Sequence, residues 1–172
     1  MSMNIRKAQS EDAYEFAACH TACWRDAYTG LVPDEVFQKM EEEQEERTEI
    51  CRGYLQEPGD NEYYYAELDG KMIGRLVFGK CRDEDKPDAA EIHAIYLLAE
   101  YWDKGYGRQM LDFALGVLVP GGYSEFIIWV LEDNCRAINF YKKYGFVADG
   151  ERKILEIGKP LVTVRYVRSG LM

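Results

Sequence analysis

Long apolar runs are absent from this sequence. No stretch approaches the ~18 consecutive apolar residues of a membrane span, and Met1-Ser2-Met3-Asn4-Ile5-Arg6-Lys7 has no apolar segment behind its basic pair. A cytoplasmic location with no membrane partner is the expectation. Cysteine is sparse and odd in number, at positions Cys19, Cys23, Cys51, Cys81 and Cys135. Reduced thiols rather than a disulfide framework follow. Cys19, His20 and Cys23 share one turn of an expected helix, but no second ligand pair accompanies them, so no metal is predicted. Positive charge is in deficit, with 21 Lys and Arg against 31 Asp and Glu and a net charge of −10. Such a field repels phosphate backbones and anionic headgroups, which argues against nucleic acid as a partner. It tolerates cationic amines, although plain solubility explains it as well. Internal repeats and low-complexity linkers are also missing.

What is present is apolar material: 47% hydrophobic and 13% aromatic residues in 172, enough for one domain over residues 1–172 with its own core. Residues 4–8 read as a strand. Ser10 offers an N-cap to a helix carrying Ala13, Phe16, Ala17, Trp24, Ala27 and Tyr28 on its apolar side, with Gly30 as its stop. Pro33 opens a second helix through Val36, Phe37 and Met40. The acidic run over 41–49, with Arg47, Ile50, Cys51, Tyr54 and Leu55 completing the period, predicts a helix with one solvated face. The period then changes to two. Residues 62–68 and 71–78 flank Asp69-Gly70, a strong hairpin signal, and the nearly apolar 91–97 predicts a central strand. A helix over 107–119, a buried strand over 126–131 and a short helix over 136–144 follow. A strand starting over 146–148 and a hairpin of 153–157 with 161–167 complete an α/β chain with a mixed sheet.

The chemistry concentrates in Trp102-Asp103-Lys104-Gly105-Tyr106-Gly107-Arg108, between a strand and a helix start. Gly105 and Gly107 let backbone N–H groups turn outward, and the helix start adds about half a positive charge, so a pyrophosphate can be cradled there. Lys104 and Arg108 add full charges. A structural turn explains the Gly-x-Gly alone equally well. Met110 stands where a dinucleotide fingerprint has its third glycine, and no Gly-Lys-Ser/Thr is present, which counts against dinucleotide and nucleoside-triphosphate chemistry.

Residues 90–97 (AEIHAIYL) and 100–111 (EYWDKGYGRQML) resemble the acetyl-CoA-binding segment of the GNAT superfamily of N-acetyltransferases. Residues 129–146 (WVLEDNCRAINFYKKYGF) resemble that family's next strand, helix and Gly-Phe turn, and 22–33 (ACWRDAYTGLVP) is similar to a common subgroup. The resemblance implies a GNAT-like mixed, largely antiparallel central sheet flanked by helices on both faces. It implies acetyl-CoA as co-substrate, a primary amine as acceptor, and C-terminal strands that pair across a homodimer. Cofactor contacts then fall on Ile95, Tyr96 and Leu97, on Trp102, Asp103, Lys104, Gly105, Tyr106, Gly107 and Arg108, and on Asn134 and Tyr141. One departure stands out: the family's phosphate loop usually begins with Gln or Arg where this chain has Trp102, which removes a polar contact or hands it to backbone. A non-catalytic acetyl-CoA-binding domain that regulates a partner remains the alternative.

An alkyl amine with a pKa near ~10.4 is ammonium at neutral pH and must lose a proton before it attacks. Glu91 and His93 are the candidate acceptors, on one face of a strand and about 7 Å apart. Some members of the family carry a glutamate base at the position of Glu91. A solvated strand-end carboxylate and a packed rim histidine are the plain alternatives. The resemblance implies that N–H groups near Ile95 and Tyr96, where the family's strands bulge and splay, meet the oxyanion. It gives Tyr141 the task of protonating the leaving thiolate and places Asn134 against the pantetheine or thiolate, with packing and helix capping as their alternatives. Trp24, Tyr28, Phe37, Glu156 and Arg165 are candidate walls for the acceptor.

Overall fold

The period-two segments pair into a single seven-stranded sheet. In the computed structural model, which describes residues 3–170, the strands are β1 (Asn4–Lys7), β2 (Asn61–Leu68), β3 (Lys71–Lys80), β4 (Ala90–Leu97), β5 (Glu125–Leu131), β6 (Val147–Glu156) and β7 (Pro160–Ser169). Their order is β1-β2-β3-β4-β5-β7-β6, antiparallel throughout except between β4 and β5. Helices α1 (Ala13–Tyr28), α2 (Asp34–Glu42) and α3 (Gln44–Gln56) precede the β2–β3 hairpin. Helix α4 (Tyr106–Leu118) connects β4 to β5, and α5 (Cys135–Lys143) connects β5 to β6. The hairpin forms at Asp69-Gly70 because both residues take positive φ, 52° and 78°, as a tight right-twisting turn requires.

Alternation along the strands makes both sheet faces apolar, and helices cover each. On one face Met110, Leu111 and Leu115 of α4 pack with Ile73, Leu76, Phe78, Ile92, Phe126 and Ile128. On the other, Phe16 and Cys23 of α1 and Cys51 of α3 pack with Tyr65, Met72 and Val77. Phe16, Phe37, Phe78, Phe126 and Phe146 are fully buried, each worth roughly 1.5–3 kcal/mol of transfer free energy. Arg75 enters the α1 face, stacked 4.0 Å over Phe16 and donating to the Phe16 carbonyl at 3.2 Å.

Three local expectations need correction. Ser10 does not cap α1: a 3-10 turn over Ser10–Asp12 precedes the helix, and the Asp12 carboxylate accepts the Gln9 N–H at 2.8 Å. Ile50 is 60% exposed, because α3 turns Thr48 and Cys51 inward instead. The strand starting at 146 and the first arm of the last hairpin are one strand, β6, interrupted by a register slip between Ala148 and Arg152. β6 is exposed along its whole length, having β7 as its sole strand neighbour.

Two irregularities shape the centre of the sheet. Val77 pairs with Ala94 and Phe78 with Ile92, so His93 is an extra residue on β4, a bulge that lies before the expected Ile95–Tyr96 position. β4 and β5 pair only at Ala90↔Phe126 and Glu91↔Ile127, and beyond these the strands part. All five cysteines are free, and Cys19 and Cys23 face each other inside the core with their sulfurs 3.8 Å apart. Among the described residues no helix is long and apolar enough to cross a membrane, and no group of three His, Cys, Asp or Glu is placed to hold a metal ion.

Candidate active site

Where β4 and β5 part, a cleft of about 600 Å³ opens. The Leu98 N–H donates to the Ile73 carbonyl at 3.0 Å. Counting back by two, Tyr96 and Ala94 also direct their backbone groups to β3, which leaves those of Ile95 and Leu97 facing the gap. Of the two expected backbone donors, Ile95 therefore faces the cleft. The Tyr96 N–H is committed to β3, and Tyr96 lines the cleft with its side chain instead. The Leu97 carbonyl accepts the Trp102 indole N–H at 2.8 Å.

The bulge puts the His93 ring on the cleft wall and Glu91 off it, with Glu91 only 2% exposed. The Glu91 carboxylate accepts the Arg82 backbone N–H at 3.2 Å, Nε at 3.3 Å and Nη2 at 2.7 Å, and its Oε1 lies 3.2 Å from His93 Nδ1. The two side chains thus converge, where unbroken strand geometry would hold them about 7 Å apart. The His93 contact is at ion-pair distance without being a hydrogen bond, and both ring nitrogens are buried with no hydrogen-bond partner among the described residues. Burial alone would raise the Glu91 pKa, but the nearby His93 ring and the hydrogen bonds from Arg82 outweigh it and hold the carboxyl at about 2.

At the cleft's other end Gly105 begins α4 with φ 84°, and Asp103 also takes positive φ, 57°. Trp102, Asp103, Gly105, Gly107 and Arg108 line the cleft. The side chains of Lys104 and Tyr106 turn away from it, Lys104 Nζ standing 5.7 Å from the Tyr101 ring and Tyr106 packing 6.3 Å from the same ring. Arg136 stacks 4.0 Å over Trp102 and bridges both oxygens of Asp103 at 3.2 Å. Composition gives no hint of Arg136, since its partners lie 33 and 34 positions back.

Tyr141 lines the cleft while packing edge-on to Phe140 and Phe146 at 5.2 and 5.8 Å. Its burial, with Tyr96 nearby, pushes the phenol pKa far above the usual value. Asn134 does cap α5, its Oδ1 accepting the Ala137 N–H at 3.2 Å, and it also lines the cleft. Tyr28 reaches the cleft with its hydroxyl 3.3 Å from that of Tyr96, and Trp24 stands behind it, edge-on at 5.1 Å. Phe37, Glu156 and Arg165 are not cleft walls. Phe37 anchors α2 in a separate cluster with Val32, Leu131 and Leu161, Glu156 ends the exposed β6, and Arg165 is buried among carboxylates.

A mostly antiparallel sheet that splits at its one parallel pair, above a glycine-containing helix start, defines an acyltransferase that draws on a coenzyme A thioester. The chain belongs to the acetyltransferase (GNAT) family, whose sequence model matches residues 18–146. It is an N-acetyltransferase with acetyl-CoA as co-substrate. It is 28% identical to an uncharacterized N-acetyltransferase of Bacillus subtilis, over 83% of this chain and 79% of that one. It is 24% identical to spermidine N(1)-acetyltransferase of Thermoplasma acidophilum, over 91% and 97%. The crystal structure of the PaiA N-acetyltransferase from Thermoplasma acidophilum in complex with coenzyme A superposes with a TM-score of 0.77 at 22% identity, over 99% of this chain and 100% of that chain.

Proposed function

We propose that the acetyl group passes directly from acetyl-CoA to a primary amine while both are bound at the cleft between β4 and β5. The observation that carries this reading is the Glu91–His93 contact at the bulge, beside strand backbone that the parting of β4 and β5 leaves unpaired. An ionised carboxylate only accepts, so the His93 tautomer that faces Glu91 with its Nδ1 proton offers a lone pair at Nε2. That lone pair takes the ammonium proton, directly or through water. Glu91, ionised down to about pH 2 and off the cleft wall, orients the ring and stabilises the imidazolium instead of acting as the base itself.

The freed amine attacks the thioester carbonyl, and the gap-facing Ile95 N–H meets the oxyanion. Tyr141 is kept protonated by its surroundings and donates to the departing thiolate, whose conjugate acid has a pKa near ~8.5. The proton shed by the new amide nitrogen restores the phenol. The loop from Trp102 to Arg108 and the start of α4 hold the phosphates, and Asn134 faces the pantetheine. For the acceptor, the aromatic wall that Tyr28 and Tyr96 give the cleft suits an aliphatic cation, and the Thermoplasma relative is named for a polyamine.

Release of free thiol from acetyl-CoA against polyamines, aminoglycosides and basic peptides tests the reading, with turnover expected on a cationic primary amine. His93→Ala should lower kcat/KM by about 10²- to 10⁴-fold and regain part of it with added imidazole. Tyr141→Phe should lower kcat with acetyl-CoA binding retained. Unchanged turnover in either variant removes that residue's role, and binding with no release on any amine replaces catalysis with regulation.

A further inference from the structure

The loop that receives the phosphates opens on an indole, not a polar side chain, and the indole is fixed: its N–H is tied to the Leu97 carbonyl at 2.8 Å. On its face, 4.0 Å away, lies the guanidinium of Arg136. Arg136 is the second residue of α5, where a cation faces the positive end of the helix and is disfavoured. Its partner Asp103 is a weak compensation. Both contacts are 3.2 Å, long for a charge-assisted pair, and the Asp103 side chain is 86% exposed, so water and salt screen the attraction. Trp102, Asp103 and Arg136 all line the cleft, as do the cations of Arg108 and Lys143.

We propose that Arg136 is a phosphate-binding residue that selects the nucleotide-bearing form of the acyl donor. In the free protein its guanidinium is parked on Asp103 and held flat by Trp102. When the donor enters, the guanidinium exchanges this single exposed carboxylate for a phosphate of higher charge, and Trp102 keeps its plane fixed while it does so. Trp102 thus supplies the floor and Arg136 the cation, a division of labour between two elements far apart in sequence. This rests on acetyl-CoA being the donor.

The test compares kcat/KM for acetyl-CoA with kcat/KM for S-acetylpantetheine, which carries the same thioester without the nucleotide phosphates. Arg136→Met keeps the stem and removes the charge, and it should lower the ratio of the two values by about tenfold or more. Arg136→Lys should recover little of it, because an ammonium neither stacks flat nor presents a fork. Trp102→Leu, which leaves α5 untouched, should lower the ratio in the same direction by a smaller factor. A ratio unchanged in Arg136→Met and Trp102→Leu, or full recovery with lysine, overturns the proposal. Failure of the unsubstituted protein to use either donor is a different result, and it counts against the acetyl-transfer reading itself.

Discussion

Glu91 illustrates how a side chain's surroundings reverse its expected chemistry. Desolvation disfavours its ionised form, yet three N–H groups of Arg82 and the His93 ring bring its pKa from 4.5 to about 2. A carboxyl whose folded pKa lies below its unfolded one adds stability that is fully present above pH ~4.5 and lost as pH falls toward ~2, here on the order of 3 kcal/mol. Glu91→Gln should therefore be less stable than the unsubstituted protein at neutral pH, with the difference closing between pH 4.5 and 2. Urea unfolding at a series of pH values measures this, and a difference that does not vary with pH would contradict it. Strand period alone put Glu91 and His93 on one face. It could not reveal Arg82, nine positions earlier across a loop, nor the bulge that turns a shared face into contact.

At the scale of elements, that loop is held by charge. Arg165 of β7 reaches Asp83 at 3.1 Å, Asp85 at 2.7 Å and Asp149 at 2.7 Å, and these carboxylates raise its pKa further above an already high value. Lys153 also pairs with Asp83, and the Trp129 indole donates to Asp83 at 2.9 Å. The cluster ties the β3–β4 connection, and with it Arg82, to the far half of the sheet. Arg165→Met strands the buried Asp83 with fewer partners and should lose about 3 kcal/mol, a Tm drop of roughly 6–12 °C for a chain of this size. Asp85→Asn, at a side chain 58% exposed, should lose far less, because solvent and salt screen the pair. Calorimetry separates the two, and equal losses would mean that burial does not govern the network. The hairpin and the helices were legible because a turn or a period is local. The continuity of β6 was not, since it depends on pairing with β7 across a slipped register.

At the scale of the whole molecule, the sheet is two parts, β1–β4 and β5–β7–β6, joined by only two residue pairs between β4 and β5. In the proposed reading the donor lies in the cleft, touches both parts and binds where they meet. At 100 times its Kd such a ligand adds about 2.7 kcal/mol, or roughly 5–10 °C in Tm. Coenzyme A should produce this shift in a thermal melt, and the shift should shrink with added salt, because Arg108, Arg136 and Lys143 attract a polyanion within a molecule of net charge −10. No shift at millimolar coenzyme A would refute the bridging role.

The order of helices and strands, the glycine-containing loop before α4 and the residue types around it could be read along the chain, since each depends on neighbours a few positions apart. The tertiary structure decided which of those residues act together. The His93 bulge, the burial of Glu91 against Arg82, the exclusion of Phe37 and Arg165 from the cleft, and the stacking of Arg136 on Trp102 all arise from pairings between distant segments. Short-range periodicity carries no information about such contacts, because each joins residues that only the packing of separate elements brings together.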